Sequence, residues 1–126
     1  MDLSVLWIGL LIAFIAWKLW SSRRSPAQLA EIQAALDQGA HLLDVRGPVE
    51  FSHGHLDHAR NIPLGQEGSV IDELTKSGKP VVVYCASGTR SAMAARRLKA
   101  GGVQVVYDLG PMNNGATLRT GGKTSA

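Results

Sequence analysis

Cysteine is all but missing from these 126 residues: Cys85 stands alone. No internal disulfide can form, and a lone reactive thiol needs a reducing compartment to stay reduced. Aromatic residues are scarce, and all three tryptophans, Trp7, Trp17 and Trp20, fall within the first twenty positions. Surplus charge is nearly absent from the remainder. Lys18, Arg23, Arg24 and Asp2 carry +2 of the formal net +3, so the chain beyond them is close to neutral. That excludes a basic nucleic-acid surface on the folded part, and no nucleic-acid partner is expected. No internal repeat is present. The length allows one domain, and the stretch after residue 26 suffices for one modest core.

What the first twenty positions do hold is a long hydrophobic run. Leu3 to Trp20 is apolar except for Ser4 and Lys18. At about 1.5 Å per residue it reaches roughly 27 Å, close to a hydrocarbon core of about 30 Å. Leu3 to Trp17 is apolar all round, unlike a soluble helix with one buried face. Trp17 and Trp20 sit where an aromatic belt belongs, and Lys18 can extend toward headgroups. A cleaved signal peptide would place its positive charge first. Here Asp2 precedes the run, while Lys18, Arg23 and Arg24 close it, and no small-x-small cleavage pattern follows. The expectation is a transmembrane helix over residues 3–20 and a linker over 21–26. The lipid bilayer is then a partner. The positive flank predicts a single-pass inner-membrane protein, amino terminus outside and residues 27–126 in the cytoplasm.

Cys85 ends a run of buried character, Val81-Val82-Val83-Tyr84-Cys85. Such a run without polar alternation reads as a strand covered on both faces, the habit of parallel sheets. Ser91 to Ala100 reads as a helix. Between them lies the tight loop Cys85-Ala86-Ser87-Gly88-Thr89-Arg90. Main-chain N–H groups converge at a helix start, and the helix dipole favours negative charge there. A thiol in that field loses its proton more easily, and the thiolate is the reactive form. Arg90 adds a permanent positive charge. A lone cysteine ending a strand is commonly an inert core residue. Gly88, the hydroxyls of Ser87 and Thr89, and Arg90 argue for a nucleophile facing an anion instead.

Two segments together resemble the rhodanese (thiosulfate sulfurtransferase) family in its single-domain form. The first is Leu42-Leu43-Asp44-Val45-Arg46, then Glu50-Phe51, Gly54-His55-Leu56 and Ala59-Arg60-Asn61-Ile62-Pro63. The second is Val81 to Arg97, with its Cys-x-x-Gly-x-Arg-Ser loop. The resemblance implies a small α/β domain, a central parallel sheet with helices on both faces, here preceded by one transmembrane helix. It implies that Cys85 accepts a sulfane sulfur as a persulfide. Main-chain N–H groups of Ala86, Ser87, Gly88, Thr89 and Arg90 would cradle it, and Arg90 would match the residue that binds the substrate anion. Asp44 and Arg46 would match charged residues that brace the site. Two departures stand out: His58 replaces the usual glycine, and no tryptophan follows Leu109-Gly110.

Around these segments the chain divides readily. Ser25 caps a helix from Pro26, Gln28 completes a capping box, and Gly39 ends it. Strands are expected over His41–Val45 and Val103–Tyr107, a helical turn over Pro48–His53 and a short helix over Ser69–Leu74. The rhodanese-like domain is assigned to residues 27–115 and a flexible tail to 116–126. Strand–helix alternation predicts a parallel sheet, whose ligands bind beyond the carboxyl ends of the strands. Asp44 and Cys85 both fall at such ends.

His53, His55, Asp57 and His58 lack a second cluster to complete a metal site, so no metal and no cofactor is expected. Arg96, Arg97 and Lys99 read as a solvated helix face, with contact to anionic lipid headgroups or an acidic partner as the alternatives. The expected function is a membrane-anchored sulfurtransferase. It would take sulfur from a small anionic donor such as thiosulfate and pass it to cyanide, a thiol or a protein acceptor. Two alternatives are a non-catalytic adaptor for a membrane partner and a Cys-loop phosphatase or arsenate reductase. The latter resemble Cys-x₅-Arg, one residue longer than the Cys-x₄-Arg found here.

Overall fold

Residues 2–120 are described by a computed structural model of the chain. Helix α1 spans Leu3–Ser21, with Asp2 as its N-cap and every side chain exposed. Helix α2, Pro26–Asp37, starts as its sequence dictates. The Gln28 N–H donates to Ser25 Oγ at 3.2 Å, and the Ser25 N–H donates to Gln28 Oε1 at 2.9 Å. Strand β1, His41–Asp44, follows, then the single-turn helix α3, Pro48–Ser52. The two-residue strand β2, Arg60–Asn61, lies within the Ala59-to-Pro63 segment, where the sequence pattern predicts no strand. A 3₁₀ turn over Glu67–Ser69 leads into helix α4, Ile71–Ser77. Strand β3, Val81–Cys85, helix α5, Thr89–Ala100, strand β4, Val106–Pro111, and a 3₁₀ turn over Met112–Gly115 complete the order.

The four strands form one parallel sheet in the order β2-β1-β3-β4. All five residues of β3 are buried, as an unalternating run in a central strand should be. Their side chains divide the core in two. Val81, Val83 and Cys85 pack with Leu43, Leu74, Ala94 and Leu98 on the α4–α5 side. Val82 and Tyr84 pack with Leu42, Ile32, Leu36 and Leu109 on the α2 side. The expected α/β architecture, with helices on both faces of a parallel sheet and an apolar amino-terminal helix, is therefore present.

Several boundaries differ from the sequence expectation. The last strand begins at Val106, not Val103, because Val103 still closes the turn after α5 through its N–H to the Leu98 carbonyl. It then runs on through Gly110 to Pro111. A register shift between Val83 and Tyr84 lets Asp108 and Gly110 pair with successive residues of β3, and Gly110 takes φ +78°. Helix α5 begins at Thr89 rather than Ser91, so Arg90 lies in its first turn. Of the segment 116–126, Leu118 packs against the α2-side core, and the Arg119 N–H donates to Gln33 Oε1 of α2 at 2.8 Å. Residues 121–126 lie outside the described part.

Candidate active site

The parallel topology brings the carboxyl ends of β1 and β3 side by side, with Asp44 opposite Tyr84. Cys85 follows and is fully buried. Its Sγ accepts a hydrogen bond from the Gly88 N–H at 2.9 Å and lies 3.5 Å from Ser91 Oγ, which donates to the Gly88 carbonyl at 3.1 Å. Gly88 turns the chain into α5 at φ +96°, a left-handed conformation that suits glycine. A Cβ there would sit 3.4 Å from Pro111 Cδ, so β4 closes the loop from the far side. Gly88 has no side chain to cap α5, and the first turn of the helix holds no acidic residue. Its leading N–H groups and dipole are available to an anion.

Of the main-chain groups expected to cradle sulfur, the Gly88 N–H is placed on Sγ in this structure. Ala86, Ser87 and Thr89 are exposed around the loop, and Gly88 and Arg90 are half-buried. The Arg90 guanidinium forks onto Glu50 of α3, Nη1 to Oε1 at 2.7 Å and Nη2 to Oε2 at 3.0 Å. Glu50 also accepts from the Gly47 N–H at 3.2 Å. The Arg90 hydrogen bonds, followed by that from Gly47, pull the Glu50 carboxyl down to about 2. The same pair pushes the Arg90 guanidinium up, against a smaller opposing effect of its own burial. Glu50 belongs to the motif read from sequence, yet its pairing with Arg90 spans forty residues and no local pattern announces it.

Asp44 and Arg46 form a second, buried pair. Arg46 Nη2 donates to Asp44 Oδ2 at 2.7 Å, Arg46 Nε to both carboxylate oxygens at 3.0 Å, and the Arg46 N–H to Oδ1 at 2.9 Å. The guanidinium also donates to the Gly54 carbonyl at 2.6 Å and lies 5.9 Å from the Tyr84 ring centroid. Hydrogen bonding to Asp44 raises the Arg46 pKa. Burial, foremost, raises that of Tyr84, whose hydroxyl accepts from the Leu56 N–H at 3.0 Å. Asn61, quoted in the motif without a role, donates to the Asp44 and Arg46 carbonyls at 3.0 and 2.9 Å. These contacts tie β1, β2 and the 54–56 turn into one rigid wall beside the loop. His55 stacks on Phe51 at 3.6 Å between centroids, and His58 occupies φ +64°, the conformation for which the related glycine is suited.

A cysteine at a strand end, held by a main-chain N–H beneath an uncapped helix and ringed by two arginine–carboxylate pairs, is equipped for nucleophilic group transfer. The chain is 34% identical over 126 residues to protein YqhL of Bacillus subtilis (strain 168), covering all of this chain and 96% of that one. It is 35% identical over 75 residues to the putative sulfur carrier protein YrkF of the same organism, covering 60% of this chain and 40% of that protein. Among solved structures, an uncharacterised Saccharomyces cerevisiae protein superposes with a TM-score of 0.57 at 26% identity, covering 76% of this chain and 91% of its own. The polysulfide-sulfur transferase homodimer of Wolinella succinogenes shares the fold at 20% identity and a TM-score of 0.53, over 99% of this chain and 96% of its own. With the rhodanese-like domain model matching residues 26–111, the chain belongs to the rhodanese-like domain family.

Proposed function

We propose that this protein is a membrane-anchored sulfurtransferase that carries sulfane sulfur as a persulfide on Cys85. The observation that carries the reading is the hydrogen bond from the Gly88 N–H to Cys85 Sγ at the uncapped start of α5. With thiosulfate as donor, the Cys85 thiolate attacks the outer sulfur, the S–S bond of thiosulfate breaks, and sulfite leaves with the electron pair. An acceptor nucleophile then attacks the terminal sulfur of the persulfide, and the Cys85 thiolate leaves in turn. With cyanide the product is thiocyanate. Sulfur changes hands without an external oxidant or reductant. The loop N–H groups and the α5 dipole stabilise the anionic terminal sulfur, and Arg90 receives the donor anion by exchanging its Glu50 partner for it.

Helix α1 supplies the anchor. Its 19 residues reach roughly 28 Å at about 1.5 Å each, and none is buried against the domain. Lys18, Arg23 and Arg24 on its carboxyl flank orient the domain toward the cytoplasm. Carbonate extraction of membranes and a thiol reagent that cannot cross them test this arrangement. The protein stays in the membrane fraction, and Cys85 is labelled only after lysis. Labelling in intact cells overturns the orientation.

Two features favour a second reading, a non-catalytic adaptor: Cys85 is fully buried, and Arg90 is engaged by Glu50. Thiocyanate formation from thiosulfate and cyanide separates the two. The sulfurtransferase turns over, and Cys85→Ser abolishes turnover because a hydroxyl cannot hold sulfane sulfur. The adaptor shows no turnover in either form.

A further inference from the structure

The carboxyl end of α1 does not hang free of the domain. Asn114 Nδ2 donates to the Ser22 carbonyl and to the Leu109 carbonyl, both at 2.8 Å. Arg24 Nε donates to the Asp108 carbonyl at 2.8 Å, and its guanidinium lies 3.6 Å from the Asp108 carboxylate. The linker is thereby pinned to the end of β4, the strand end that abuts Gly88. Between α1 and the loop this leaves a cleft of about 740 Å³. Its volume falls in the range of about 300–1,000 Å³ that holds small-molecule ligands.

The walls of the cleft have two characters. Ile15 and Leu19 from the last turns of α1, with Leu29 of α2, make an apolar side. Ala86 and Ser87, the two residues after Cys85, form the end nearest the reaction centre. Lys18, Arg23 and Arg24 also line it, and no carboxylate among the described residues does. Asp108 answers Arg24. Lys18 and Arg23 have no carboxylate within ion-pair distance among the described residues. An apolar groove rimmed by two unanswered cations complements an anionic amphiphile. Trp17 and Trp20 place this rim at headgroup depth, where such a molecule resides.

We infer that the cleft between α1 and the 85–90 loop admits the sulfur acceptor from the bilayer surface, and that the acceptor is an anionic thiol bearing an apolar chain. The inference rests on the anchored sulfurtransferase reading above. The acceptor thiolate attacks the terminal sulfur of the Cys85 persulfide, the persulfide S–S bond breaks, and the Cys85 thiolate leaves. The acceptor departs as a persulfide of its own, and no external redox partner is needed.

The test compares N-dodecanoylcysteine with N-acetylcysteine, which share thiol and carboxylate and differ in chain. The full-length protein is placed in phosphatidylcholine nanodiscs, loaded with thiosulfate, and followed by mass as the persulfide discharges. The long acceptor should be favoured by at least about tenfold in kcat/KM. Bilayer partitioning alone also favours it, so the decisive reading is the ratio of the two acceptors in variants that keep the anchor. Ala116→Trp, at an exposed wall position, fills the cleft, and Arg23→Gln, on the exposed linker, removes a rim charge. Ala116→Trp should lower the ratio by about fivefold or more, and Arg23→Gln should lower kcat/KM for N-dodecanoylcysteine by a similar factor while leaving its uncharged ethyl ester unaffected. An unchanged ratio in Ala116→Trp, together with an unchanged preference for acid over ester in Arg23→Gln, overturns the inference, because the bilayer then concentrates any amphiphile. A wild-type ratio near one overturns it as well. Discharge to N-acetylcysteine shows that sulfur transfer itself is intact in either case. Failure to load any persulfide overturns this inference and the sulfurtransferase reading together.

Discussion

Arg46→Ala should unfold this domain far more readily than it disturbs any surface. The Asp44 side chain is fully buried and accepts three guanidinium hydrogen bonds from Arg46, beside one from the Arg46 main chain. Truncation leaves the buried carboxylate without its paired charge, with that main-chain donor, the neighbouring Tyr84 hydroxyl and the more distant Arg90 as its remaining support. Removing one partner of a buried pair costs about 3–5 kcal/mol, a large share of a total stability of about 5–15 kcal/mol. With a urea dependence of about 2 kcal/mol per molar, the unfolding midpoint should fall by roughly 1.5–2.5 M. Far-UV circular dichroism of the full chain in micelles reads this against the constant background of α1. Arg46→Lys should recover part of the loss, since the charge returns but the fork onto Asp44 does not. Replacing both partners, Asp44→Leu with Arg46→Met, should also recover part, because no unpaired charge remains. A fall of less than about 0.5 M for Arg46→Ala would refute the reasoning, showing that water or another donor answers Asp44.

Arg90→Ala should lower kcat/KM for thiosulfate by about one to two decades, the worth of one charge-assisted contact to a bound anion, while the protein stays folded. Wild-type kinetics would reduce Arg90 to a brace for Glu50. Glu50→Gln should flatten the acid side of the stability curve. The Glu50 carboxyl is held at about 2 against an ordinary 4.5. Its contribution is therefore complete above about pH 4.5 and is lost as pH falls through about 2, a loss the glutamine variant cannot show. Urea midpoints measured between pH 5 and 2 check this, and parallel curves for the two proteins would contradict it. Gly88→Ala should cut sulfur loading more than it lowers stability. A left-handed residue with a side chain costs roughly 1–2 kcal/mol, and relief of that strain would shift the N–H bonded to Sγ, whereas the new methyl meets Pro111 only at 3.4 Å, an ordinary contact.

Much of the fold was legible because its signals are local. Val81–Cys85 announces a doubly covered strand without alternation, and Ser25-Pro26-x-Gln28 announces a capped helix start. Both stand as read. The carboxyl ends of β1 and β3 follow from those elements, and with them the neighbourhood of Asp44 and Cys85. What was hidden depends on partners far along the chain. Strand β2 is two residues long and exists only by pairing with Leu43 and Asp44. The shift of the last strand comes from the turn bond of Val103 and from a bulge opposite β3. The fork of Arg90 on Glu50 joins two helices, and the pinning of Ser22 and Arg24 to the end of β4 spans most of the chain. Sequence patterns of period two or 3.6 carry no information about such contacts.

The most direct measurement is the intact mass of the purified protein before and after thiosulfate, followed by peptide mapping. The account predicts a gain of one sulfur atom, located on the peptide that contains Cys85 and removed by cyanide. Cys85→Ser should show no gain. A wild-type mass that stays unchanged, under conditions that load a known sulfurtransferase, would contradict the account at its centre.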